Sequence, residues 1–461
     1  MSTRYARPVL CLAIASVCLQ LTTGCRDADI GPDSTFASSG LYVHRQSPST
    51  KTVSTRQVLL LSQGRILALG GIGGGPTGSS DYVSSASFAL TNAGALDPAF
   101  GSGGLLPDAS ERPPQEFVTA RELPNGTIVL ASDVLNCSSP SHCEVQDPGP
   151  TYHVKRYLPN GALDSTYAEA GTHAVASHRG NAAILADGTV IGLGVTYDRY
   201  VGQSSRPTTF DAVVVDAAGR ANPALASRFL TQMVRCSPTG SADLGTIGHG
   251  GSTIPVVQWT RDDRIVFAYG PCMLKLNPDA TPDDAFGSDG LSQVDNEGLA
   301  ISQVQILADG SVLTFSPRDD RSSYRVVKRL PTGSPDPAFG DGGVLTMSLP
   351  FRYFWNDWNT RGLPAVDAKG RVLVAGQTTD PATNVRISYL ARFDAQMKLD
   401  TTFGPAGTGL AELGRSDQGW WFGPSTIAVD GEDRIFLGGA VSRDSPSNPN
   451  TWLYSEAVMR L

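Results

Sequence analysis

Seven times along this chain an apolar stretch enters a tight polar turn and leaves as a second apolar stretch, at a spacing near sixty residues. The turns are Gln63-Gly64, Asn125-Gly126, Asp187-Gly188, Asp262-Asp263, Asp309-Gly310, Lys369-Gly370 and Glu432-Asp433. Counting from the second turn residue, the steps are 62, 62, 75, 47, 60 and 63, and the uneven pair of 75 and 47 together spans two ordinary periods. A recurrence of this kind requires a chain built of equivalent units that bury their apolar faces against each other. Gly, Asn and Asp at the turns supply the positive φ and the side-chain acceptors of tight hairpins, and the flanking stretches have strand character.

A second element lies between successive hairpins. It is clearest at Gly94-Ala95-Leu96-Asp97-Pro98-Ala99-Phe100-Gly101 and at Gly333-Ser334-Pro335-Asp336-Pro337-Ala338-Phe339-Gly340. Variants stand at Asp164/Tyr167, Asp283/Phe286 and Asp400/Phe403, with a degraded copy at Asn222 to Leu225. Each good copy is preceded by a short apolar stretch and followed by another, so one unit holds about four strands. Four strands in about sixty residues exceed a solenoid coil and match a propeller blade. The expectation is an all-β, seven-bladed β-propeller with four antiparallel strands per blade. The chain stops at Glu456 to Leu461 on a third strand, with no Asp-x-x-Phe element after it. Gly40 to Arg45 is expected to supply the missing fourth strand and to close the ring, burying edges that an open sheet leaves unpaired.

The repeated pattern resembles the delta-60 repeat of exported bacterial proteins. Lys155-Arg156-Tyr157-Leu158-Pro159-Asn160-Gly161-Ala162-Leu163-Asp164 and Lys328-Arg329-Leu330-Pro331-Thr332-Gly333 carry it, and the likeness spans nearly all of residues 40 to 461. Gly219 to Pro223 departs from it. The resemblance implies an exported, propeller-like protein and brings no general catalytic residues with it.

The first residues read as an export signal. Arg4 and Arg7 precede an apolar run from Val9 to Leu21, too short for a stable membrane anchor. Leu21-Thr22-Thr23-Gly24-Cys25 resembles a bacterial lipobox, with Cys25 as the lipidated residue, although Thr22 stands where that motif usually has Leu. Ordinary signal cleavage is the alternative. The domain reading is therefore a signal over 1–24, a flexible tether over 25–39 and a propeller over 40–461, in an outer-membrane or cell-surface lipoprotein, or else a periplasmic or secreted protein.

An oxidising compartment gives the remaining cysteines a structural use. Cys137 and Cys143 would close a short loop, leaving Cys236 to pair with Cys272. Zinc is the alternative at His142-Cys143, but the spacing of ligand types speaks against it. The formal charge of -8, with no Lys/Arg run, disfavours a nucleic-acid surface. Gly73 to Gly78 spells G-x-G-x-x-G, yet the Ser-rich continuation has no helical pattern to receive a phosphate. Gly248-His249-Gly250-Gly251 lacks an accompanying nucleophile elbow. No cofactor or metal is implied, and a monomer is expected.

In a four-stranded antiparallel blade the two repeated turns share one face, here called the turn face. The loops between strands two and three, and from strand four to the next blade, share the opposite, variable face. On the variable face Phe351, Tyr353, Trp355 and Trp358 precede the sixth hairpin, and Trp420, Trp421 and Phe422 precede the seventh. Trp358 and Trp421 each lie twelve residues before the second residue of their turns, a phase without an aromatic at Ala176, Gly251 and Gly298. With Asn356, Asp357, Arg415 and Asp417 nearby, these rings could stack a glycan or grip a protein. The competing reading packs them between blades six and seven. Functionally the chain is expected to be a non-catalytic cell-envelope binding or scaffold protein. The alternative is a hydrolase or lyase acting on polysaccharide through carboxylates in the central funnel.

Overall fold

The computed structural model describes residues 32–44, 53–73, 83–84, 86–107, 115–134, 151–176, 179–198, 206–237, 255–260, 262–294, 297–299, 301–318, 320, 322–353, 364–445 and 448–461. They form a seven-bladed β-propeller of small antiparallel sheets. Each expected hairpin is the first strand pair of a blade. Blade two shows the full pattern, Gln115–Glu122, Ile128–Val134, Thr151–Tyr157 and Thr172–Ala176 paired in sequence order. First strands of neighbouring blades approach one another, Thr55–Leu60 lying near both Gln115–Glu122 and Trp421–Val429, so they surround the central axis.

The hairpin turns have the backbone that their residues predict. Gly126 takes φ +80°, and Asp263 and Asp433, which replace glycine in the fourth and seventh blades, each take +63°. Aspartate reaches this region at less cost than most side chains because its short polar group bonds locally.

The core is divided among the seven seams between blades rather than gathered in one centre. Leu67, Leu69 and Ala89 of blade one meet Ile128, Leu130 and Tyr157 of blade two, and a comparable cluster fills every other seam. The aromatic of each Asp-x-x-Phe element enters the seam toward the next blade: Phe100, Tyr167, Phe286, Phe339 and Phe403 are all buried. These rings fill the gaps between neighbouring blades.

Blade three departs from the pattern. Arg179–Ile184, Val190–Asp198 and Arg206–Val215 pair as expected, but a helix, Pro223–Met233, follows in place of a fourth strand. The backbone N–H of Asn222 still bonds the Val214 carbonyl at 2.8 Å, as Asp164 bonds Arg156 in blade two. Its side chain, however, accepts from Leu225 N at 3.1 Å and caps the helix, with Pro223 in the first turn. Phe229 and Met233 then fill the seam that an element aromatic fills elsewhere.

Ring closure follows the expectation and extends it. Leu41–Val43 pairs antiparallel with the last strand, Leu41 opposite Met459 and Val43 opposite Ala457. The boundary placed at residue 40 needs correction. Asp33-Ser34-Thr35-Phe36-Ala37-Ser38-Ser39-Gly40 is itself a copy of the repeated element, delivered from the other end of the chain. Asp33 N bonds the Arg460 carbonyl at 2.9 Å, Arg460 N bonds the Gly40 carbonyl at 2.9 Å, and Phe36 is wholly buried between blades seven and one. The expected tether therefore ends by Asp33, since residues 33 to 39 belong to the ring.

Candidate functional site

The turn face is held by a side-chain clamp repeated in six blades. Each Asp of the element meets a cation eight residues earlier in the third strand: Arg156 Nε to Asp164 at 2.7 Å, Arg392 Nε to Asp400 at 2.8 Å, Lys328 Nζ to Asp336 at 2.9 Å and Lys275 Nζ to Asp283 at 3.3 Å. Blade one has Ala89 at that position, and Arg65, just after the hairpin turn and before the strand Ile66–Gly70, reaches Asp97 at 2.6 Å. Blade seven completes the set across the chain termini, with Arg460 Nη2 2.7 Å from Asp33.

The same cation lies over the element's ring, from 4.6 Å at Arg392 and Phe403 to 6.0 Å at Lys328 and Phe339. The second carboxylate oxygen accepts a backbone N–H two residues on, as Asp164 does from Thr166 at 3.0 Å. Some clamps also reach the next blade: Arg156 Nη1 donates to Ala217 O at 3.0 Å and Arg460 Nη1 to Asn92 O at 2.7 Å. At each clamp a cation of the chain itself already occupies the position beside the carboxylate.

These contacts set the acid response. Hydrogen bonds from Arg65 and Lys328 hold Asp97 and Asp336 below the ordinary value of 3.8, and Thr35 acts most strongly on Asp33 in the same direction. At Asp164, Asp283 and Asp400 burial is the largest influence and pushes upward, but bonds from Thr166, Arg264, Thr402 and the clamp cations together lower all three. A carboxylate with a depressed folded-state pKa adds stability above its unfolded value and loses it as pH falls through the folded value. Thermal stability should therefore keep the clamp contribution from neutral pH down to about 4 and lose it progressively below. A melting series from pH 7 to pH 2 checks this, and a loss of the clamp contribution completed above pH 5 would contradict it.

Where the first strands reach the turn face, the described carboxylates are engaged too. Glu122 accepts from Ser62 N at 2.6 Å and Ser62 Oγ at 2.8 Å. Asp263 of blade four accepts from Arg121 of blade two at 2.7 Å and from Ala186 N of blade three at 3.0 Å. These bonds brace adjacent blades against one another, and the one from Arg121 to Asp263 also ties blade two to blade four.

The variable face separates the aromatic candidates. Phe351 is buried in the seam of blades five and six, with its ring parallel to Tyr389 at 6.4 Å and lying where a Cβ on Gly376 would be. Phe422 is wholly buried between blades six and seven. Both are thus removed from the candidate binding rings, because the seams need them as core. Tyr353 lies in the short strand Arg352–Tyr353, paired with the second strand of blade six, Val372–Thr379. Trp355, Trp358, Asn356 and Asp357 lie outside the described residues.

Trp420 and Trp421 are half-buried, each ring seated against a glycine. The Cζ3 and Cη2 edge of Trp420 lies 2.9 and 3.2 Å from the Cβ position of Gly414, and the same edge of Trp421 lies 3.1 and 3.2 Å from that of Gly423. Close to Trp420 in sequence, Arg415 pairs with Asp417 at 3.1 Å and more loosely with Glu412 at 3.7 Å. Tyr389 stands opposite Glu412 in the strand register, and burial, with Glu412 adding, raises its hydroxyl pKa. Sequence reasoning singled out the tryptophans, Arg415 and Asp417 but missed Tyr389 and Glu412. Their pairing depends on strand register, disturbed here by a bulge between Ser388 and Tyr389.

Cys236 and Cys272 are disulfide-bonded, with Cα atoms 5.4 Å apart. Cys236 ends the short 3-10 turn after the helix, and Cys272 opens the third strand of blade four rather than lying in a loop. The bond ties blade three's atypical outer element to its neighbour. Cys137 and Cys143 lie outside the described residues, as does Cys25. Replacing Cys236 and Cys272 together by Ser should cost roughly 2–4 kcal/mol. Denaturant unfolding of the oxidised parent and the variant checks the value, and equal midpoints would contradict it.

Among the described residues no helix is long and apolar enough to cross a membrane. No protein-family model matches the sequence, and no curated protein matches it. Solved structures do. A prolyl oligopeptidase B from Galerina marginata shares 9% identity over 90% of this chain and 52% of its own, with a TM-score of 0.39. The polysaccharide lyase Uly1 shares 9% over 94% of each chain, TM-score 0.37. A PQQ-bound aldose sugar dehydrogenase from Streptomyces coelicolor shares 11% over 90% of this chain and 98% of its own, TM-score 0.33. This chain spans about half the length of the oligopeptidase structures it matches. At such identities the likeness is one of fold alone.

Proposed function

We propose that this chain is a non-catalytic propeller of the bacterial cell envelope that binds a glycan or protein through its variable face. The observation carrying this reading is the unequal use of the two faces. On the turn face the repeated Asp, cation and ring side chains are consumed in holding the ring together. On the variable face Trp420 and Trp421 keep part of their surface exposed, beside the charged Arg415 and Asp417. Rigid aromatics flanked by planar polar groups are a common basis for recognition. The repeat's resemblance to exported proteins and the Cys236–Cys272 bond support an oxidising compartment. Under this reading Cys25 carries a lipid.

A glycan array and pull-down from envelope extract test the reading. Capture by the parent should weaken about thirtyfold or more in the Trp420→Ala/Trp421→Ala variant, the loss expected of a binding hot spot. Circular dichroism and an unchanged disulfide establish that the variant is folded. Capture unchanged by the double substitution, or release of shortened product from envelope polysaccharide, would overturn it.

A further inference from the structure

The anchoring of Asp33 has a consequence for how the ring meets a membrane, given the lipidated Cys25 of the proposed function. Asp33 lies on the turn face, fixed to Arg460 by two side-chain contacts and a backbone bond, and Phe36 behind it is wholly buried. Seven residues, 26 to 32, separate it from Cys25. Eight Cα-to-Cα steps reach at most about 28 Å when fully extended. Blade seven, to which Asp33 is clamped, is taller than that: its second strand, Ile435–Ser445, has eleven residues and spans about 33 Å over ten steps from the turn face to the variable face. Bringing the variable face to the bilayer would need the linker to climb that height and cross the rim as well. It has no contour left for this unless the clamp at Asp33 is released.

We propose that the turn face is the membrane-proximal face of the anchored protein and that the variable face, with Trp420 and Trp421, points away from the lipid surface. The arrangement rests on lipidation at Cys25. It uses the constant face for attachment and leaves the face that differs between blades open to a ligand beyond the membrane.

The test uses the full lipoprotein purified into liposomes, with a dye on Gln396→Cys at an exposed turn-face tip or on Ala382→Cys in an exposed variable-face loop of the same blade. A head-group quencher in the lipid should quench the Gln396 dye at least about threefold more than the Ala382 dye, because the two sites lie at opposite ends of one strand. Equal or reversed quenching overturns the orientation. Palmitate labelling, abolished by Cys25→Ala, reports separately on the anchor. Labelling with reversed quenching sinks the orientation alone, whereas absence of labelling sinks both. Inserting about twenty Gly/Ser residues after Arg26 should erase the contrast, since flexible linkers of that length reach around the rim. A contrast that survives the insertion would mean that tether length does not set the orientation, and would overturn the argument.

Discussion

Phe36→Ala is expected to lower the unfolding free energy by about 3–5 kcal/mol, the range for emptying a buried aromatic site. The ring is wholly buried, meets Phe436 edge-on at 6.3 Å and lies beneath the Arg460 guanidinium at 5.0 Å. It also belongs to the segment that completes blade seven without a covalent link, since Leu41–Val43 joins the last strand through hydrogen bonds alone. Phe100→Ala is the control, since Phe100 has the same role at the seam of blades one and two. Both substitutions should lower the denaturant midpoint. Only Phe36→Ala should also speed proteolysis within residues 32–44, because those residues are held to blade seven by non-covalent contacts alone. Equal protection of that segment in the two variants would refute the closure role.

Arg392→Ala is expected to cost a similar amount, about 3–5 kcal/mol, because it strands a largely buried carboxylate. Arg392 is 4% exposed and Asp400 13% exposed at their side chains. The guanidinium also bonds Thr402 Oγ1 at 3.2 Å and covers the Phe403 ring at 4.6 Å. Replacing both partners, as Arg392→Met with Asp400→Asn, should cost clearly less than Arg392→Ala, since no uncompensated charge is left behind. A double-mutant cycle of Arg392→Ala and Asp400→Ala measures the coupling directly, and a value near zero would show that the repeated clamp is incidental to stability.

The parts of this architecture that depend on near neighbours could be read in advance. Asn125-Gly126 and Asp187-Gly188 mark hairpins because positive φ and side-chain acceptors act within four residues. Gly40 to Arg45 could be named as the closing strand because the last unit lacked a fourth strand, and Leu41–Val43 within it takes that place. The copy of the element at Asp33 to Gly40 escaped notice because it precedes its blade instead of following it, and no local signal joins Asp33 to Arg460. The helix after Asn222 was equally hidden. The same Asn-Pro pair serves a degraded turn or a helix start, and the packing of Phe229 and Met233 into a seam is what distinguishes them.

The candidate site divides on the same line. An aromatic cluster before the sixth and seventh hairpins was visible as residues that the repeat does not require. Phe351 and Phe422 belong to seams while Trp420 and Trp421 retain exposed surface, a difference that strand direction and the glycines beneath the rings decide. By itself the sequence determined the unit, the number of units and the phase of every turn, because these follow from local backbone preference and alternation. The tertiary structure alone decided which Asp meets which cation, which rings are core and where the N-terminal segment leaves the ring. Those outcomes depend on contacts between strands and between blades, including the one within blade seven that joins residues 33 and 460 from opposite ends of the sequence.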